Sequence, residues 1–190
     1  MTGITGAGIV LLGVFTLRGI IGFREDYLYF KKEKFSLRSY YRYLKNKIKK
    51  EKWLKMKVIL GRTSKLNLCN NLDYRLVHVI LEVARLDLPC DFGVFETKRT
   101  IEKQKEYVHR GVSKTMNSKH IPDKNGIVRA VDIVPYVNGK YTWENKYLDE
   151  LIPIFEKVAA ELYPRQIEFG KNWKTFIDRP HIEIKTEYEL

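Results

Sequence analysis

Two short polar stretches, far apart in the chain, set the terms for its fold: Ser118-Lys119-His120, running on to Ala130-Val131-Asp132, and Asp178-Arg179-Pro180-His181 near the C-terminus. Neither carries chemistry alone, so the fold has to bring them together. His120, Asp132 and His181 would then offer two imidazoles and a carboxylate as ligands for a divalent metal, with Asp178 as a further carboxylate three residues before the last histidine. That is the inventory of a catalytic zinc site, in which three protein ligands leave a fourth position open for water.

Composition bounds what surrounds such a site. At 190 residues, 44% hydrophobic and 13% aromatic, the chain can build one domain with a sizeable core and has residues to spare for an extension. The net charge of +12 invites a nucleic-acid or membrane partner until it is located. Residues 1–57 hold 14 Lys/Arg against 4 Asp/Glu, so nearly all the excess lies in the N-terminal segment. Residues 1–17 carry no charged side chain, and the apolar character continues past Arg18 to Phe23, which makes residues 1–23 a candidate transmembrane helix weakened by its glycines. Positive charge follows this stretch instead of preceding it, unlike a secretory signal, and would keep the C-terminal side in the cytoplasm. Residues 24–57 form a basic, aromatic-rich linker suited to contact with a membrane surface; with no groove-reading motif, nucleic acid is not expected. Cys69 and Cys90 lie in apolar sequence without metal-ligand spacing and read as two buried thiols.

From Met56 onward the sequence alternates helix and strand signals. Val58-Ile59-Leu60-Gly61 reads as a short strand, and Leu72, Leu76, Val79, Ile80 and Val83 fall on one face of a helix ended by Leu88-Pro89. A strand over residues 91–96 follows, then a helix with Thr100 as candidate cap, Gln104 one turn in and Gly111 as its stop. Asp123-Lys124-Asn125-Gly126 is a turn, and the strand through Val131, Ile133 and Val134 presents Asp132 on one sheet face. Residues 143–163 have helical spacing with Pro153 as a kink or break; residues 166–169 read as a strand, 170–173 as a loop and His181-Ile182-Glu183-Ile184 as the last strand. The expected fold class is therefore α+β: a small antiparallel sheet flanked by helices in residues 58–190, preceded by a helical extension.

Arg99-Thr100 with Gln104, the Gly111-Val112-Ser113 turn, Ser118-x-His120, Ala130-x-Asp132, the loop residue Trp173 and Asp178-x-x-His181-x-Glu183 stand in an order that resembles the D-alanyl-D-alanine carboxypeptidase family of zinc peptidases. Within that family the chain is most similar to phage endolysins that are L-alanyl-D-glutamate endopeptidases, over about residues 60 to 184. The resemblance implies a peptidoglycan peptidase acting on bacterial stem peptides, with His120, Asp132 and His181 as Zn2+ ligands. It implies Asp178 as the carboxylate that activates water and returns a proton to the leaving amine, and Arg99 as the group that orients substrate and stabilises the oxyanion. Ser118 and Gln104 would bind substrate, and Glu183 would support a ligand from behind.

The sequence departs from the family's compact Ser-x-His-x-x-Gly-x-Ala-x-Asp pattern, because an extra turn separates His120 from Asp132 and Val128 replaces the glycine. Asp123, inside that turn, is a rival ligand by proximity. Two other functions stay open at this stage: a D-alanyl-D-alanine carboxypeptidase, and a membrane-tethered basic binding protein whose peptidase domain is inactive. For residues 1–55 two expectations stand side by side, an anchor holding the enzyme at the membrane until lysis, or an upstream extension ahead of a start at Met56 and a cytoplasmic enzyme released at lysis.

Overall fold

Asp73 starts the first long helix because its carboxylate accepts the Arg75 backbone N–H at 3.0 Å, supplying a partner for an N–H that no helical carbonyl can reach. The structure is a computed structural model and describes residues 57–189. The apolar segment 1–23 and nearly all of the basic linker lie outside the described residues. Among the described residues no helix is long and apolar enough to cross a membrane.

In chain order the elements are α1 (Arg62–Leu68), α2 (Tyr74–Val83), β1 (Asp91–Glu96), α3 (Ile101–His109), β2 (Ala130–Val137), β3 (Lys140–Tyr141), α4 (Asn145–Leu162), β4 (Ile167–Phe169) and β5 (His181–Ile184), with 3-10 turns at Gly170–Asn172 and Thr186–Tyr188. The strands form one antiparallel sheet in the order β1-β2-β5-β4, with β3 paired to the end of β2. Alternation sorts the side chains of β2 cleanly. Val131 and Ile133 turn to one face with Ile182, Val94 and Phe92, and are buried there with the apolar stripes of α2 and α4. Phe155 of α4 meets Phe92 edge-on at 5.1 Å and is fully buried, a contact whose burial stabilises the domain by about 1.5–3 kcal/mol. Ala130, Asp132 and Val134 turn to the opposite face, and that face carries the polar cluster described below.

The outer edge of β1 is closed by α1. Ser64 Oγ accepts the Val94 N–H, and Asn67 donates to the carbonyls of Val94 and Phe95, so this edge is not left to pair with another strand. The helix α1 replaces an expectation: the sequence pointed to a strand at residues 58–61 ahead of the helix that carries Leu72 and Leu76. Residues 57 and 58 instead donate to the Ala84 carbonyl at the end of α2, and Val58 and Leu60 are buried while Ile59 is exposed, an alternation without a neighbouring strand. Pro153 does not break the chain into two helices. It is exposed, so α4 gives up one internal hydrogen bond and continues unbroken to Leu162. Both cysteines are free thiols as expected, but neither is buried: Cys69 is exposed at the cap of α1, and Cys90 is only partly covered.

Candidate functional site

His181 is the first residue of β5 and pairs with Asp132 of β2, so the sheet register alone sets their side chains next to each other on the polar face. His120 arrives from a loop and is pinned on both sides. Its carbonyl accepts the Arg99 N–H at 2.9 Å, the preceding Lys119 carbonyl accepts the Arg129 N–H at 2.9 Å, and the Ser118 carbonyl accepts the Ile121 N–H to close a tight turn. The three side chains converge. His120 Nε2 lies 3.2 Å from His181 Nδ1, and Asp132 Oδ1 lies 3.3 Å from the former and 3.2 Å from the latter.

What these atoms can do follows from the other nitrogen of each ring. His120 Nδ1 is 2.7 Å from the Thr97 carbonyl, so it carries the hydrogen and donates it; His181 Nε2 likewise donates to Glu183 Oε2 at 2.9 Å. Both tautomers therefore turn a lone pair towards Asp132, and two lone pairs beside a carboxylate repel unless a cation joins them. The demand for positive charge shows in the titration of the group. A proton on His181 Nδ1 meets the same demand: burial pulls the ring down, but the hydrogen bonds the protonated ring gives to Asp132 and Glu183 outweigh this and carry it to about 9. Burial raises Asp132, and the two histidines more than reverse this, holding it far below the usual carboxylate range. The donor triangle also has the right size: a tetrahedral ion with bonds of about 2.0–2.1 Å needs donors about 3.3–3.4 Å apart. His120, Asp132 and His181 are thus a group that fits a metal ion.

The support behind these three side chains is layered. Burial raises Glu183, but hydrogen bonding to His181 and the ammonium of Lys119 lower it overall, so it stays an anion. Lys119 Nζ lies 3.2 Å from Glu183 and also donates to the Ile184 carbonyl and Thr186 Oγ1. Trp173 covers the other side, its ring 5.0 Å from that of His181 and its Nε1 donating to Glu168. Thr97, Lys119 and Glu96 had no sequence signal: Thr97 acts through its backbone carbonyl, and the two charged residues acquire their partners only in three dimensions.

Asp178 stands at the rim of the same site. Its backbone is fixed by a hydrogen bond from its N–H to the Gly170 carbonyl at 3.0 Å and by its own carbonyl accepting the His181 N–H at 3.2 Å. Its carboxylate has no hydrogen-bond partner among the described residues; burial and the charge of Asp132 raise its pKa, and the two histidines and Arg99 only partly offset this. Arg99 is 8% exposed, held by Glu96 Oε2 at 2.6 Å and Gln104 Oε1 at 2.8 Å, with its guanidinium over the Tyr107 ring and 3.7 Å from Asp132. Its Nε is buried without a partner. Gln104 is fully buried, and beyond Arg99 its amide donates to Ser113 Oγ and the Thr115 carbonyl. Ser118 is half-buried, its hydroxyl 3.4 Å from the His120 N–H.

The extra turn proves to be a separately braced structure. Asp123 accepts the N–H groups of Asn125 and Ile127 and the guanidinium of Arg129, Gly126 supplies the left-handed residue the turn needs (φ 76°), and Arg129 reaches on to Asp73 at 2.8 Å. Asp123 is therefore committed outside the donor cluster. Val128 fits where the compact pattern has glycine, because it is fully buried while its backbone pairs with Asn71 and Asp73.

Comparison with known proteins converges on one family. The family model described as phage L-alanyl-D-glutamate peptidase matches residues 56–188. The chain is 30% identical over 91 residues to the L-alanyl-D-glutamate peptidase of Listeria phage A118, covering 48% of this chain and 29% of that enzyme. It is 31% identical over 101 residues to the L-alanyl-D-glutamate peptidase of Escherichia phage T5, covering 51% of this chain and 69% of the other. The crystal structure of the Serratia marcescens L-Ala D-Glu endopeptidase ChiX superposes with a TM-score of 0.59 at 30% identity, covering 69% of this chain and 93% of that one.

Proposed function

The chain belongs to the phage L-alanyl-D-glutamate peptidase family, and on that premise we propose that it is a zinc-dependent peptidoglycan endopeptidase that hydrolyses the L-alanyl-D-glutamate bond of the stem peptide. The observation that carries the metal part of this reading is the convergence of two imidazole lone pairs on Asp132, each fixed by a hydrogen bond from the opposite side of its ring. His120, Asp132 and His181 would hold the ion, with Glu183 and Thr97 orienting the rings. A zinc ion there supplies Lewis acidity and makes its water acidic enough to lose a proton near neutral pH.

The remaining roles fall to the chain's own groups. Asp178, with its unpartnered carboxylate, takes the proton from the attacking water and returns it to the leaving amine. Arg99 brings positive charge towards the substrate carbonyl, while Glu96, Gln104 and Tyr107 hold its guanidinium in one rotamer. Gln104 acts through Arg99 and the 113–115 turn, because its amide is already spent inside the protein; Ser118 remains free to meet substrate at the rim. The likeness to L-alanyl-D-glutamate peptidases favours an endopeptidase over a D-alanyl-D-alanine carboxypeptidase.

The test is digestion of purified peptidoglycan by the zinc-loaded protein with and without chelator, with new termini identified by mass spectrometry. New amino termini on D-glutamate, lost with the chelator, are expected. Release of free D-alanine would transfer the assignment to the carboxypeptidase, and an inert, folded, zinc-loaded protein would refute both.

A further inference from the structure

Four aromatic side chains stand half in solvent beside the donor cluster without forming part of it: Phe95 (49% exposed), Trp143 (50%), Tyr141 (48%) and Tyr136 (39%). They are organised as two edge-to-face pairs, Phe95 with Trp143 at 4.8 Å and Tyr136 with Tyr141 at 5.3 Å, which fixes their planes before anything binds. Gly93 makes room for this arrangement. The Tyr141 ring lies against it so closely that a Cβ there would come within 2.7 Å of Cε1. The sheet register places Tyr136 and Tyr141 on the face of Asp132, and Phe95 sits at the bulge between Val94 and Glu96, with Trp143 against it. Gly93 pairs with Val134 and Tyr141 with Tyr136, all in step with Asp132 and His181. Tyr136 is four residues along β2 from Asp132, about 13 Å away, and Phe95 adjoins Glu96, which lies directly opposite Asp132.

We propose that this shelf binds the glycan strand of the substrate, as a subsite for N-acetylated amino sugars that leads into the metal site. The inference rests on the peptidoglycan reading above and extends it. In that substrate the alanine whose carbonyl is attacked is the residue joined through a lactyl group to the sugar. Only one residue, at most about 3.6 Å of chain, and that short link separate the scissile bond from the saccharide. The saccharide of a bound stem peptide is therefore within reach of the surface next to the donor cluster. A pyranose presents a flat face of C–H groups to aromatic rings and hydroxyl and acetamido groups at its rim. In each edge-to-face pair one half-exposed ring can offer its face to the first, and exposed Asp91, cross-strand from Tyr136, offers acceptors for the second.

The test compares a soluble disaccharide-linked stem peptide with the same peptide lacking sugar, using the full chain and its Trp143→Ala and Phe95→Ala variants. None of the substituted residues touches the donor cluster, so kcat/KM on the sugar-free peptide should stay within about twofold of wild type, while that on the glycan-linked substrate falls by about tenfold. Tetra-N-acetylchitotetraose should change the wild-type tryptophan fluorescence and inhibit cleavage of the glycan-linked substrate, and should do neither to Trp143→Ala. Equal losses on both substrates, or no loss on either, would overturn the proposal. So would variants that only abolish self-association in sedimentation, which would make the shelf a contact between copies. If the wild type cuts neither substrate, the peptidase reading fails, and the tetrasaccharide titration still decides the shelf.

Discussion

Gly170 joins β4 to the segment bearing Asp178 and His181, and replacing it with alanine tests whether the close approach of these segments builds the site. A Cβ on residue 170 would stand 2.5 Å from the backbone oxygen of Asp178 and 3.1 Å from the Cβ atoms of both Asp178 and His181. The nearest of these is backbone, so it cannot swing away as a side-chain tip could, and the segment must retreat by roughly 0.7 to 1 Å to reach ordinary contact. Overpacking of this size destabilises a domain by about 1–3 kcal/mol, readable as a lowered urea midpoint. The functional loss should be larger in proportion. The displaced carbonyl also receives the His181 N–H, so the shift is passed to a proposed metal ligand and to Asp178 together. A misplacement of about 1 Å costs on the order of a hundredfold in turnover, and zinc affinity, measured by chelator competition, should fall in parallel. Gly61→Ala is the control: nothing lies within 4 Å of its added Cβ, so metal binding should be untouched and stability should change by about 1 kcal/mol or less. Wild-type zinc affinity and turnover in Gly170→Ala would refute the argument that this contact positions the site.

Asp178→Asn should retain zinc and lose most turnover, whereas His181→Ala should lose the metal itself; equal activity in the Asp178 variant, with zinc content measured alongside, removes that residue from the mechanism. Glu96→Gln should alter the pH dependence of stability. Burial raises the Glu96 pKa, but hydrogen bonds from Arg99 and Lys103 bring it below the normal 4.5, so the carboxylate stabilises the fold above that pH and the contribution disappears as pH falls through the folded value. The variant should be less stable than wild type at pH 7, with the gap narrowing as pH falls below 4.5; a gap in urea midpoints that stays constant as pH falls would contradict the assignment.

Much of the frame is legible in the residues. The strand over Asp91–Glu96 appears as expected, Thr100 caps α3 by accepting the Lys103 N–H, and Gly111 ends that helix with φ of 72°. These features are local: each depends on a side chain's reach to its own backbone or on a φ that favours glycine. The donor types were also legible, since His120, Asp132 and His181 stand in characteristic short patterns. Helix α1 was not, because its seven residues carry too little periodicity to distinguish it from an extended run, and its contribution is to cover the β1 edge. Cys69 was misread for a related reason: apolar neighbours in sequence do not say which side of a short helix faces solvent.

The sequence by itself thus determined which groups are available for chemistry and the secondary structure that carries most of them, because both depend on residue type and spacing within a few positions. Tertiary structure decided how those groups are committed. Pairing β2 with β5 makes Asp132 and His181 neighbours, Thr97 and Glu183 choose the tautomers, and the reach of Arg129 from Asp123 to Asp73 turns a rival carboxylate into a brace. Gln104 is spent on Arg99 and on the 113–115 turn for the same reason. A hydrogen bond or a lone-pair direction exists only between atoms already brought within about 3 Å, and for residues this far apart in the chain only the folded sheet does that.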